Sequence, residues 1–449
     1  MEKTKKRWNV SPSLKILIGF IGVILIGSFL LCLPWSNRDG QWLNYADALF
    51  TSTSAVCVTG LIVVDTAIQF SLFGQIIVML LIQIGGLGIV AITTLIAIVM
   101  GKKINLSNRL TLQESLNKDT MEGVVATLKK ILIITLSIEA VGAILLLYST
   151  ITITGSVGYG IFAAIFMAIS AFCNAGFDVL GMSAGEFASL TPFASNVLLL
   201  LPLAMLIILG GIGFIVLLKA FRSCKGRQHI KAVIIMTLAL LIGGTIAFMA
   251  LEWNNPATLG SMTTFEKILN AFFQSTTLRT AGFATIDQAA LTPGSQIISI
   301  IFMFIGGSPN STAGGLKTTT ILIILVFLFT KSNENGDIVF YKRRISGRVI
   351  RKALKIFMAQ LIALAMAVIL ISIIDSGISV NAILFECVSA IGTVGLTMGI
   401  TTMLSVGSQL LLCLLMLVGR VGLLTIGLAV SSAPAVHDIE YQNTDIIVG

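Results

Sequence analysis

The chain has 449 residues, of which 56% are hydrophobic and 11% charged; the mean hydropathy is +0.99 and the formal net charge +9. A soluble domain carries about a quarter charged residues, so this chain has too few to coat a surface in water and is predicted to sit in a bilayer. The positive balance does not indicate nucleic-acid binding, because the basic residues stand in short segments between apolar runs, as the positive-inside rule describes.

In chain order, apolar segments fall at about 14–33, 72–99, 128–149, 195–218, 231–251, 297–330, 350–374 and 406–431. Each approaches the roughly 20 residues that a spanning helix needs, so eight spans are expected. The first has the charged start of a signal peptide, but it is long and lacks a small-residue cleavage site before Pro34 and Trp35, so it reads as a retained helix. Segments 1–15, 102–130, 219–231 and 331–355 hold most of the 29 Lys and Arg residues. They are therefore expected on the cytoplasmic side, together with both termini.

Between successive pairs of spans lie shorter apolar stretches at about 46–57, 161–172, 266–277 and 380–391. They are too short to cross and suit half-helices that enter from outside and return. The unit of span, re-entrant half-helix, loop and span occurs four times, at 1–100, 101–222, 223–332 and 333–449. The fold class is thus an all-α polytopic membrane protein of four tandem repeats around a central pore. The copies align on Gly60, Gly176, Gly282 and Gly395. Ten residues earlier stand Phe50, Phe166, Phe272 and Phe385, and six earlier the hydroxyls Ser54, Ser170, Thr276 and Ser389. The second spans share IGGLG (84–88), LGGIG (209–213), IGGSP (305–309) and VGRVG (418–422), read as close-packing glycines.

A dehydrated cation in a bilayer needs oxygens in place of its water. Glu139 is the single carboxylate inside a span proper, so the backbone must supply the ligands. The four loop triplets are Val58–Thr59–Gly60, Asn174–Ala175–Gly176, Thr280–Ala281–Gly282 and Thr393–Val394–Gly395. Glycine adopts positive φ freely, so successive carbonyls can turn toward one axis as a K⁺ filter. Each half-helix also aims the negative end of its dipole at that point. The sixth span is broken by Gly306, Gly307, Ser308, Pro309, Asn310, Ser311, Thr312, Ala313, Gly314 and Gly315. Four glycines and a proline in ten residues do not hold a helix. This segment is expected to obstruct the path beneath the filter and to move for conduction. Repeat symmetry places Arg420 beside it, as a partner for loop carbonyls or hydroxyls and a barrier to K⁺. Lys317 is a second barrier candidate, with inward snorkelling as the equal alternative.

These residues resemble the Trk/Ktr/HKT superfamily of potassium transporters over nearly the whole chain. The most specific pieces are SAVCVTGLIVVDT (54–66), QIGGLGIV (83–90), FCNAGF (172–177), TLRTAGF (277–283), GGSPNSTAGGLKTTT (306–320) and SAIGTVGLTMG (389–399). Eight spans and the ending EYQNTDIIVG (440–449) look like the Ktr-type membrane subunit. The resemblance implies K⁺ as the substrate ion at the filter residues, an intramembrane gating loop, a homodimer with one pore per protomer, and a cytosolic RCK-type ring that carries the nucleotide. It also implies a bacterial plasma-membrane location. No cofactor is expected on this chain, and Na⁺ as a modulator or companion of flux stays open. Only Thr393–Val394–Gly395 closely matches the TVG of potassium channels, and Asn174–Ala175–Gly176 departs most.

The six cysteines lack CxxC spacing and read as small hydrophobes. His229 and His437 fall in expected cytosolic segments. No paired aspartates, Ser/His pair or metal motif lies within the spans, so an enzyme is not expected. The competing reading is a secondary carrier for another small substrate that uses the broken sixth span as its binding site.

Overall fold

The computed structural model describes residues 11–99, 110–113, 123–220, 227–330, 338–340, 343–423 and 425–426. The expectations for residues 1–10, Cys224, His437 and the ending 440–449 fall outside the described residues. Within them the elements follow a recurring order. A long helix, Pro12–Cys32, leads to the half-helix Tyr45–Cys57 and then to Leu72–Leu87. Val124–Thr154, Val157–Cys173 and Val197–Ile212 follow in the same order. So do Arg227–Glu252, Thr264–Thr277 and Pro293–Phe304, and finally Gly347–Ile374, Val380–Gly392 and Val406–Val421.

Local chemistry sets these boundaries. Each half-helix begins on a short polar cap that accepts from a backbone N–H: Asn44, Ser156, Thr263 and Ser379. Such caps satisfy donors that the first turn leaves open. Thr263 forms a full capping box with Glu266. Ser71, Asn196 and Thr292 cap the helices that leave the loops.

Among the described residues, four helices are long and apolar enough to cross a bilayer: Pro12–Cys32, Val124–Thr154, His229–Glu252 and Gly347–Ile374. The second helix of each unit differs from expectation. Only the sixth span was expected to break, yet all four are interrupted. Leu72–Leu87 meets Ile89–Leu95 at 101° across Gly88. Val197–Ile212 stops at Gly213, and Val406–Val421 at Gly422. These glycines have φ of +88°, +102° and +90°, where an L side chain is strained. The close-packing reading holds for a different glycine in three of the four motifs. A Cβ on Gly85, Gly210 or Gly419 would run into the carbonyl oxygen of Val56, Phe172 or Ile391 at the end of a half-helix. One glycine lets the two helices touch, and a later one turns the chain away.

Two further corrections concern register and class. Phe50, Phe166 and Phe385 are fully buried, but in the third unit Phe273 takes that place while Phe272 stays partly exposed. The third half-helix is shifted by one residue relative to the alignment on glycine. The all-α expectation also misses a small ribbon in which Ile338–Phe340 pairs antiparallel with Arg343–Ile345. Ile338, Val339 and Phe340 are residues that favour strands.

Gly210→Ala is expected to lower the midpoint of thermal unfolding in detergent, because overpacking costs about 1–3 kcal/mol. Gly243→Ala, with open space around the added carbon, should leave the midpoint unchanged or raise it. Equal behaviour of the two variants would remove the packing argument.

Candidate functional site

The half-helices end on residues in left-handed conformation. Val58, Asn174, Thr280 and Thr393 have φ of 57°, 58°, 66° and 52°. Two residues on, Gly60, Gly176, Gly282 and Gly395 have φ of +93°, +72°, +83° and +95°. Thr59, Ala175, Ala281 and Val394 between them are not among the positive-φ residues. Among the described backbone hydrogen bonds, none uses the carbonyls of these triplets, so they are paired in neither a helix nor a sheet.

The four loops meet. A Cβ on Gly60 would lie 2.5 Å from the Ala175 carbonyl oxygen, one on Gly176 2.7 Å from that of Ala281, and one on Gly282 2.5 Å from that of Val394. A Cβ on Gly395 would strike the Thr59 carbonyl oxygen and close the circuit. Each loop thus leans its glycine on the carbonyl that precedes the next loop's glycine, and no side chain fits there.

The hydroxyls one turn back brace the loops. Ser54 and Ser389 accept from the N–H of Gly60 and Gly395, both at 3.0 Å. Ser170 donates to the Phe177 carbonyl at 2.6 Å. In the third unit Thr277, not Thr276, donates to Phe283 at 2.7 Å, while Thr276 bonds back to Phe272. This is the same one-residue shift as that of Phe273.

Outside the glycine ring lies a cavity of about 530 Å³, lined by all four glycines and by Asp65, Asp178 and Asp287. These carboxylates were not singled out in the sequence. A signal was available: the stretch from Gly176 to Gly210 is longer than its three counterparts. The extra residues form a loop across the mouth. Phe187 N–H donates to Asp65 at 3.0 Å, Leu190 N–H to the Ala284 carbonyl at 3.0 Å, and Ala284 N–H to Ser189 at 3.2 Å. Burial raises the Asp178 carboxyl to about 6, and the charge of Asp65 adds to the rise.

On the opposite side of the ring sits the segment that interrupts the third unit. Gly314 abuts the Thr393 side chain, and Gly315 lies against Gly392. Thr312 Oγ1 donates to the Phe172 carbonyl at 3.0 Å and to Asn174 Oδ1 at 3.1 Å. Asn174 Nδ2 in turn donates to the Arg279 carbonyl at 3.2 Å. The amide that makes the second loop deviate from the others therefore ties three segments together. Ser308 N–H bonds the Gly211 carbonyl at 3.0 Å, and Asn310 accepts from Phe214 N–H at 2.7 Å. Ser311 closes a turn onto the Ser308 carbonyl at 2.6 Å. Pro309 and Ala313 complete the segment, and a Cβ on Gly306 would meet the Gly314 carbonyl oxygen at 2.5 Å.

Arg420 donates to the Thr312 carbonyl, and to the Gly85 and Gly86 carbonyls, the last at 3.1 Å. It fastens the segment to the first unit. Lys317 does not extend away; its Nζ folds back onto the Ala313 and Gly314 carbonyls at 2.8 and 3.2 Å.

Four loops packed glycine to carbonyl, beside a cavity lined by three carboxylates and held among apolar helices, mark a membrane-type protein. The family model "TrkH: Cation transport protein" matches residues 12–437, and the chain belongs to that family. The "Potassium/sodium uptake protein NtpJ" of Enterococcus hirae is 39% identical over 100% of this chain and 99% of its own length. The "Ktr system potassium uptake protein B" of Bacillus subtilis is 35% identical, again over 100% and 99%. The crystal structure of the potassium transporter TrkH from Vibrio parahaemolyticus has the same fold, with a TM-score of 0.72 at 18% identity, covering 95% of this chain and 86% of that one.

The Asp178 carboxyl titrates well above its ordinary 3.8, so the folded state holds this proton more tightly than the unfolded chain. Its contribution to stability is full below the ordinary value and is lost as pH rises through about 6. Thermal unfolding of the wild type should therefore weaken between pH 5 and 7 relative to Asp178→Asn. Parallel profiles for the two proteins would contradict this.

Proposed function

We propose that the chain is the membrane subunit of a potassium-uptake system. In this reading the four units, with eight spans, surround one central pore. The triplets 58–60, 174–176, 280–282 and 393–395 form the K⁺ filter by their carbonyls. Residues 306–315 form the gate, with Arg420 and Lys317 as its charged fastenings. The observation that carries the reading is the closed circuit of four glycines, each seated on the next loop's carbonyl. A ring of backbone oxygens is the device that replaces a cation's water without side-chain carboxylates. The name of the Bacillus relative points to K⁺ and that of the Enterococcus relative to K⁺ and Na⁺ together, and a system name implies a further subunit. The homodimer and the cytosolic nucleotide-binding ring belong to the same proposal, as do cytoplasmic termini and Na⁺ as a modulator. The carrier alternative places its binding site in the broken sixth span, and the interruptions at Gly88, Gly213 and Gly422 make a break common to every unit instead of the mark of one site.

Rb⁺ uptake into proteoliposomes, with K⁺ or Na⁺ as competitor, tests the reading. K⁺ should compete and Na⁺ should not. Gly395→Ser puts an atom against the Thr59 carbonyl, and a loss of 1–2 kcal/mol of discrimination is about tenfold. Uptake indifferent to competitor and mutation would sink the filter.

The gate makes a separate prediction. Thr312→Val removes the hydroxyl whose one proton is shared between Phe172 and Asn174, a hydrogen bond worth about 1 kcal/mol. Uptake by the chain without its partner subunit should rise severalfold. A folded variant with unaltered uptake would show that the segment does not limit the path.

A further inference from the structure

Arg279 immediately precedes the loop residue Thr280, and its side chain is 3% exposed. A guanidinium stays charged and offers five donors. Here Nη2 reaches Thr237 Oγ1 at 3.4 Å, a long hydrogen bond, and Nε has no acceptor among the described residues. Burial away from water disfavours its charge, and its side-chain partner among the described residues is a neutral hydroxyl instead of a carboxylate. A complete positive charge is therefore buried behind one quarter of the carbonyl ring.

Its counterparts in the other loops, directly before the left-handed residue, are Cys57, Cys173 and Gly392. All three are small and uncharged. The half-helices direct the negative ends of their dipoles at the ring, each equivalent to roughly half a charge. Arg420 stands near the first and second of those ends, where its charge reaches Cys57 and Cys173, but its guanidinium is bonded to the Thr312, Gly85 and Gly86 carbonyls. At the third, Thr264–Thr277, Arg279 stands two residues beyond the last helical turn. Its N–H caps the Thr276 carbonyl, and its guanidinium more than cancels that helix end. A purely structural role as a helix cap would not need the charged group, because the backbone N–H makes the capping bond.

Conduction requires a binding site shallow enough to release the ion. A fixed positive charge makes the site shallower in proportion to the charge of the ion it meets. The effect on a divalent cation is thus twice the effect on a monovalent one in free energy, whatever the distance. We propose that Arg279 is a specificity-determining positioning residue: its buried charge keeps divalent cations from lodging in the ring and blocking the flow of monovalent ones. The proposal rests on the filter reading above.

The test uses the full chain in proteoliposomes, with Ba²⁺, which is close to K⁺ in size, as the blocking probe. Two concentrations are read: half-saturating Rb⁺ and half-inhibitory Ba²⁺. Arg279→Gln should lower both, and the Ba²⁺ factor should be the square of the Rb⁺ factor. A ~threefold tightening for Rb⁺ then accompanies a ~ninefold one for Ba²⁺. Arg279→Lys keeps the charge and should keep the wild-type resistance to Ba²⁺. Thr237→Glu places a carboxylate beside the intact guanidinium and should tighten Ba²⁺ block as the Gln variant does; it carries the test if that variant does not fold. Equal factors for the two ions, or Lys and Gln variants that behave alike, would overturn the proposal. Wild-type uptake that K⁺ fails to compete would instead overturn the filter reading and leave the charge argument without its pore.

Discussion

A cation enters a bilayer only where oxygens replace its water, and each oxygen must be aimed before the ion arrives. Side-chain carboxylates would bind too tightly and add charge to a medium that penalises it. Backbone carbonyls avoid both problems but demand a backbone that makes no use of them elsewhere. The loops meet that demand by alternating left-handed and ordinary residues, so that carbonyls leave the helical pattern after Cys57, Cys173 and Gly392. The glycines are required twice over. Their φ values favour glycine, and the space a Cβ would take is held by the neighbouring loop's carbonyl. Conformation and packing therefore fix the same four positions.

The rest of the architecture positions those loops. A half-helix cannot anchor itself, because it is short and its last carbonyls are open. The second helix of each unit comes close enough to hold it only where a glycine faces the half-helix carbonyl: Gly85 at Val56, Gly210 at Phe172 and Gly419 at Ile391. A straight continuation would leave no room for a path inside. The turn at Gly88, Gly213 or Gly422 bends the chain away just below. In the third unit the turn is replaced by a whole segment, which occupies the space beneath the ring and is fastened to the second loop by Thr312 and to the first unit by Arg420.

Much of this was legible because the signals are local. The short apolar stretches at about 46–57, 161–172, 266–277 and 380–391 mark the half-helices, and the loop glycines mark their ends. The broken sixth span was visible as Gly306–Gly307–Ser308–Pro309. What escaped notice depends on which atoms meet in three dimensions. The one-residue shift of the third half-helix is hidden by its double letters, Phe272–Phe273 and Thr276–Thr277, which allow either register in the sequence. The bends at Gly88 and Gly213 look like ordinary packing glycines, since a helix pattern continues on both sides. The acidic mouth was missed because Asp65, Asp178 and Asp287 are far apart in the chain and lack a shared motif.

The division into four covalently joined units explains features that strict symmetry would forbid. In a ring of four identical chains, an arginine behind one loop would stand behind all four, and a plug segment would meet three copies of itself. Here Arg279, Arg420 and Lys317 each occur once, and Asn174 bridges the second loop to the third and to the plug. Under the proposed filter, the loops keep a common pattern because each would contribute oxygens to the same ion. The surroundings have diverged, and each of these three charged groups stands in one unit alone instead of being repeated in all four. The positions where the repeats match least are therefore where control of the path is expected to reside, and the positions where they match best are where the ion must be held.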